Sequence, residues 1–378
     1  MANLFTKIMQ AFNLGAITNL GAGSVDQAVG VDIGTSSIKL VQLKKKGGRA
    51  VLETYSTLAL GPYANLDVGA TTNLSNELLT KAINDALREG SIIIKDAAVS
   101  IPSSASLVFL LDIPATVAES ELANIVPTEA RKYIPVPINE VSLDYWVTPH
   151  RQESFYAEAG TEAVAPKTSE VLVAAIHNET LAKYKDITKA SGLEADVFEI
   201  EAFSAIRSTL SHELSAVLMM DFGASRTKLS IVEYGIVRNF HIVNRGSVDI
   251  TNSIAKSLGV PFAQAETMKR DIGLGGGGEG KAVSDLAKLS TDYILQETQG
   301  VIQAFEKKYN KPISKVILTG AGALLPGFRT HAAEVFRTEV VYGNPFEKVE
   351  VPEFIAKVLA ETGPEFAVAL GLALRKLG

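Results

Sequence analysis

Residues 30–40 read GVDIGTSSIKL. An apolar run meets an acid at Asp32, turns at Gly34, passes three hydroxyls at Thr35, Ser36 and Ser37, and returns through Lys39. Such a strand–turn–strand is either a plain hairpin with a polar tip or half of an anion site. Glycine lets backbone approach an anion closely. Successive turn N–H groups form a nest for it, and hydroxyls add donors. Lys39 would set a positive charge over a phosphate, and Asp32 would hold a hydrated Mg²⁺. One hairpin is weak evidence, so the decision rests on a second copy. Residues 221–232, DFGASRTKLSIV, repeat residues 32–43, DIGTSSIKLVQL. Asp32 pairs with Asp221, Gly34 with Gly223, Ser36 with Ser225, Lys39 with Lys228 and Leu40 with Leu229. The repeat assigns Gly223, Ala224, Ser225 and Thr227 to phosphate and Asp221 to the metal. Two such hairpins facing each other form a clamp on a polyphosphate, and they predict two domains built on one plan.

Composition excludes several classes. The 378 residues carry no cysteine, so disulfides and thiolate metal sites are ruled out and a reducing compartment follows. His150, His177, His212, His241 and His331 show no metal-ligand spacing. A formal charge of −6 argues against nucleic acid as a partner. No stretch is long and apolar enough for a membrane span, and residues 1–25 lack the pattern of a secretory signal. Leu4, Phe5, Ile8, Met9 and Phe12 share one helical face, which reads as an N-terminal extension over 1–27.

The rest of the chain is predicted as α/β. A first domain spans 28–215, a second 216–362, and a helix over 363–378 returns to the first. Leu74, Leu78, Ala82, Ile83 and Ala86 mark the core face of a helix that stops at Gly90. Residues 107–193 read as an inserted β-α-β-β-α module, with Pro127 expected to start or kink its first helix and an exposed loop over 149–168.

Residues 316–328, VILTGAGALLPGF, read as a buried strand running into a glycine turn. Gly320, Gly322 and Ala323 would let backbone lie against a flat ligand such as adenosine. Glu266 and Lys269, three apart on one helix, share a face and could bind a ribose. Gly275, Gly280 and Lys281 fit GxxxxGK, but Ala282 stands where a metal-binding hydroxyl is needed and no strand precedes the motif. It reads as a flexible glycine loop.

Hairpin, second hairpin and glycine turn, in this order, resemble the actin-like ATPase superfamily: two related domains around a nucleotide cleft. FEIEAFSAIR (198–207) and EFAVALGLALR (365–375) resemble its two connecting helices. EARKYIPVPINEVSLDYWV (129–147) and SIAKSLGVPFAQAETMKRDIG (253–273) are similar to stretches of the type IV pilus assembly PilM family, relatives of the cell-division protein FtsA. The resemblance implies a cytoplasmic protein that binds ATP with Mg²⁺. It also implies docking of the short cytoplasmic N-terminal tail of the inner-membrane protein PilN, in a groove that includes the inserted module, within the pilus assembly platform. A homo-oligomer stays open. Turnover is expected to be slow or absent, with Glu199 or Glu201 as candidates to position water. The competing readings are an FtsA-like filament protein and a small-molecule or sugar kinase of the same superfamily.

Overall fold

The computed structural model describes residues 25–148, 168–211, 213 and 215–378. Apolar runs separated by the turns at Gly34 and Gly47–Gly48 form an antiparallel meander of β1 (Gln27–Ile33), β2 (Ser37–Lys46) and β3 (Arg49–Ala59). Gly47 and Gly48, both at positive φ, close the β2–β3 turn. Helix α1 (Asn76–Glu89) is capped by Ser75, whose side chain accepts from the Leu78 amide. It buries Leu79, Ala82, Ile83 and Ala86, while Leu78 stays exposed. The apolar face therefore lies one residue on from the predicted Leu78. Strand β4 (Asp96–Ile101) then pairs parallel with β1.

The chain next forms β5 (Ser106–Pro114), α2 (Glu119–Ala130), β6 (Val141–Val147) and β7 (Thr168–His177). These strands make a separate antiparallel sheet in the order β5-β7-β6. Pro127 sits within α2 rather than at its start. Helix α3 (Asn178–Ala190) packs against α1, and its Leu181, Tyr184 and Ile187 join the core of the first sheet. That packing places α3 with the first sheet, although its sequence position suggested the inserted module. Strand β8 (Glu194–Ile200) pairs parallel with β4, and α4 (Glu201–Thr209) follows directly.

The plan then repeats. Strands β9 (Val217–Phe222), β10 (Thr227–Glu233) and β11 (Ile236–Val243) form a second meander. Helices α5 (Ser247–Leu258), α6 (Phe262–Ile272) and α7 (Lys281–Tyr309) lead to β12 (Lys315–Thr319), which is parallel to β9. After α8 (Phe328–Phe336), β13 (Glu339–Tyr342) joins parallel to β12. The two five-stranded sheets have orders β3-β2-β1-β4-β8 and β11-β10-β9-β12-β13, the same topology twice. Helix α9 (Glu353–Thr362) precedes α10 (Ala367–Leu377), which lies on β1 and α4. A Cβ at Gly30 would meet the Ala369 carbonyl at 1.8 Å, and one at Gly371 the Ser204 carbonyl at 1.9 Å. Backbone-to-backbone packing thus seats α10 tightly between β1 and α4. The expected amphipathic face at Leu4 to Phe12 and the loop over 149–168, but for Thr168, lie outside the described residues.

Candidate functional site

The two hairpin turns close identically. The Gly34 amide donates to the Ser37 carbonyl at 3.0 Å, and the Gly223 amide to the Arg226 carbonyl at 3.0 Å. They face each other across a cleft of about 340 Å³, within the range of small-ligand sites. Their tips touch: Thr35 Oγ1 donates to Ser225 Oγ at 3.2 Å. Each tip is also tied down from behind. The Thr35 carbonyl accepts from the Thr72 amide at 2.8 Å, and the Gly223 and Ala224 carbonyls accept from the Ser247 and Val248 amides at the start of α5.

Asp32, at the end of β1, is buried, and its Oδ1 accepts from Ser100 Oγ at 3.1 Å. Burial pushes its carboxyl up to about 6, against the pull of Lys39. Lys39 Nζ donates to Ser37 Oγ at 3.0 Å. The second hairpin is wired differently. Lys228 Nζ lies 2.9 Å from Asp221 Oδ2 and 2.9 Å from Glu201 Oε2. Burial works against the charge of Lys228, but Asp221 and Glu201 hold its pKa above the ordinary value. The other Glu201 oxygen accepts from the Ser103 amide at 2.8 Å. Two equivalent lysines therefore differ: Lys39 meets a hydroxyl, whereas Lys228 is neutralised by two carboxylates.

The glycine turn and α6 complete the walls. Gly320 has φ +81°, and a Cβ there would meet Asp221 Oδ1 at 2.4 Å; one at Gly322 would meet the Phe222 carbonyl at 2.6 Å. These glycines allow the turn to approach the end of β9, which is a different reason from the contact with a flat ligand expected of them. Glu266 Oε2 accepts from Thr251 Oγ1 at 2.6 Å and Lys269 Nζ at 2.7 Å, and its Oε1 from Arg270 Nε at 2.7 Å. Burial alone would raise this carboxyl, but Lys269, Thr251 and Arg270 hold it below the usual range. Gly69, from the loop after β3, lies against Glu266 across the cleft.

The cleft brings together Asp32, Gly34, Thr35, Ser36, Ser37, Lys39, Asp221, Gly223, Ala224, Ser225, Glu266, Lys269, Gly320 and Gly322. Two expected residues are not among its walls. Thr227 is fully buried, with its hydroxyl on the Arg245 carbonyl, and Ala323 lies in the core of the second sheet. Glu199 is also elsewhere: both its oxygens are taken by Arg207, at 2.6 and 2.7 Å, in the core beside α10. Glu201, the other candidate to position water, does line the cleft, and Ser103, Lys228, Arg270 and Thr319 line it without having been assigned to it. Lys228 was legible from its repeat partner Lys39. Among the described residues, no cluster of three or more metal-ligating side chains is present.

A family model described as "Type IV pilus assembly protein PilM" matches residues 30–377. The chain belongs to the PilM family. The structure of a PilM-PilN type IV pilus biogenesis complex is similar to this PilM-family chain with a TM-score of 0.78 and 26% identity, covering 94% of this chain and 99% of that one. FtsA of Pseudomonas aeruginosa is 22% identical over 374 residues, covering 89% of this chain and 87% of its own. MreB5 of Spiroplasma citri bound to ADP matches in fold, with a TM-score of 0.50 and 12% identity over 92% of this chain and 95% of that one. The PilM-family chain thus has the actin-like ATPase fold, two related α/β units around a cleft, and is a type IV pilus assembly protein.

Proposed function

We propose that the cleft binds ATP with Mg²⁺ and that the protein is a nucleotide-dependent scaffold of the pilus assembly platform. The observation that carries this reading is the meeting of two identical DxG hairpins at Thr35 and Ser225, with Lys39 bonded to a hydroxyl rather than a carboxylate. The walls fit a polyphosphate and its cation. Ser103 Oγ and Thr319 Oγ1 are buried at the cleft with no hydrogen-bond partner among the described residues, an arrangement that costs free energy unless a ligand or water fills it. Asp32 carries a carboxylate whose ionised form burial opposes, so a cation beside it relieves that penalty. Asp221 is already paired with Lys228, which leaves Asp32 as the better ligand.

When bound, ATP with its cation supplies negative charge that both hairpins share and so draws the two units together. The chain's own groups do the holding. Turn amides and hydroxyls orient the phosphates, Lys39 adds charge, and Glu266 with Lys269 meets the ribose. Glu201 has both oxygens occupied, so it is poorly placed to activate water, and slow or absent turnover follows. We assign the first unit to 28–215, the second to 216–362 and the returning helix to 363–378. The closed form presents a groove bordered by the three-stranded sheet to the cytoplasmic N-terminal tail of PilN. Among the described residues no helix is long and apolar enough to cross a membrane, and the reading places the protein on the cytoplasmic side of the inner membrane through such partners.

The test is calorimetric titration of Mg-ATP, and of a synthetic PilN tail peptide, into wild type, Asp32→Ala and Asp221→Ala. A loss of at least tenfold in ATP affinity for Asp32→Ala is expected. Undiminished affinity in both variants overturns the reading.

A further inference from the structure

Glu170, on β7, is gripped by the second half of the molecule. Its Oε2 accepts from Arg238 Nη1 of β11 at 2.6 Å, and its Oε1 from the Tyr309 hydroxyl at the end of α7 at 3.0 Å. Lys308 Nζ lies 3.8 Å away. Arg238 is buried and also lies 3.4 Å from Glu233 Oε2, while Lys311 meets the other Glu233 oxygen at 3.1 Å. Behind the carboxylate, the Thr148 amide and hydroxyl both donate to the Glu170 carbonyl at 2.8 Å. Beneath it, Leu172 and Ala174 lie in one core that includes Val232, Val237 and Phe240 of the second sheet as well as Leu181 and Phe198 of the first half.

The covalent connection runs the other way. The three-stranded sheet leaves the first sheet after β4 and returns to it through α3. The outgoing link is the short turn Pro102–Ala105, and its Ser103 and Ser104 line the cleft. The sheet is therefore tethered to one half by a turn in the cleft wall and bonded to the other by buried charge. An ion pair with one buried partner resists separation because parting it removes a carboxylate from the buried Arg238.

We propose that the Glu170 clasp makes the three-stranded sheet move with the second half of the molecule, swivelling on residues 102–105 relative to the first as the cleft opens and closes. The swivel's link to nucleotide rests on the reading above; the clasp does not. Cleft closure would then reshape the groove between this sheet and the first half, which couples nucleotide to partner binding through a discrete element.

The absence of cysteine makes this measurable with introduced spin-label pairs. Lys132→Cys on the three-stranded module is paired with Lys256→Cys on α5 or with Lys81→Cys on α1. In wild type, Mg-ATP is expected to shift the 132–81 distance and leave the 132–256 distance unchanged. Glu170→Gln with Tyr309→Phe is expected to broaden the 132–256 distribution at least twofold, with or without nucleotide. Tyr309→Phe alone, which removes one hydroxyl, serves if the double variant does not fold, and should broaden it measurably. An unchanged 132–256 width in these variants overturns the clasp, as does a nucleotide-driven shift confined to 132–256. Parallel calorimetry separates the two claims: absence of Mg-ATP binding sinks the nucleotide reading, and the width comparison still decides the clasp.

Discussion

Thr35 and Ser225 stand 190 positions apart in the chain, and their hydroxyls meet at 3.2 Å over the cleft. The contact joins equivalent turns of two units, so each half of the repeat presents its donors to the same point. A neutral hydrogen bond between them contributes about 1 kcal/mol, whereas the same hydroxyls on an anion contribute about 1.5–3 kcal/mol each.

Thr35→Val with Ser225→Ala should therefore weaken Mg-ATP binding by about 30-fold or more: the two anion bonds, less the neutral bond they replace, come to about 2–5 kcal/mol, and about 1.4 kcal/mol is tenfold. The thermal midpoint should move little. Titration calorimetry beside a thermal scan checks both, and a drop in stability without a loss of affinity would assign the pair to structure alone.

Asp32 predicts a pH dependence of defined sign. Its carboxyl titrates near 6 in the folded chain against an ordinary 3.8, so the folded state binds the extra proton between those values. Stability then falls as pH rises through that window, by about 3 kcal/mol in total for this buried group. Asp32→Asn should recover most of this at pH 7 and almost none at pH 4, while losing affinity for Mg-ATP. Urea unfolding at the two pH values measures the first effect. A variant less stable than wild type at pH 7 contradicts it.

Gly69 has φ +93°, and a Cβ there would come within 2.9 Å of the Glu266 carboxyl carbon. Gly69→Ala is expected to cost about 1 kcal/mol in backbone strain and to displace Glu266. If Glu266 meets the ribose, ATP affinity falls about tenfold while inorganic pyrophosphate binds as before. Equal losses for both ligands would move Glu266 from the ribose to the phosphates.

Glu199 and Glu201 separate by role. Glu199 is fully buried, and although burial opposes its charge, Arg207 and Ser204 hold its carboxyl below the ordinary 4.5. Its contribution is present above that value and is lost as pH falls through the depressed folded-state pKa. Glu199→Gln should destabilise by about 3–5 kcal/mol, because Arg207 keeps its charge with no carboxylate beside it. Glu201→Gln should cost less in stability and should raise nucleotide affinity, since it removes a negative charge from the cleft and leaves Lys228 with one carboxylate instead of two. Chemical denaturation and calorimetry on both variants check the division.

What could be read from sequence follows how local each feature is. A DxG turn is set within a dozen residues, and its repeat at Asp221 announced both the second sheet and the facing hairpin. Strand alternation carries information beyond the motif. On the repeat, Thr227 is the counterpart of Ile38, and both are fully buried, while Lys228 and Lys39, one residue on, line the cleft. The same pleat argument would have excluded Thr227 and admitted Lys228. Ser103 was out of reach for another reason: it lines the cleft because β4 pairs with β1, a register between segments far apart in the chain. Glu199 and Glu201 looked alike because they are two residues apart, yet one ends a strand and the other starts α4. The switch from strand to helix between them sends one side chain to the core and the other to the cleft.

The close seat of α10 on Gly30 also sets an order in time. Strand β1 leaves a ribosome before any of the second sheet, but the helix that covers it is made after that entire sheet. The second unit, contiguous from β9 to β13, can close its core as soon as it is synthesised. Contacts so distant in sequence form slowly. The first unit must wait half-covered until α10 arrives, so the second unit can complete its core before the first.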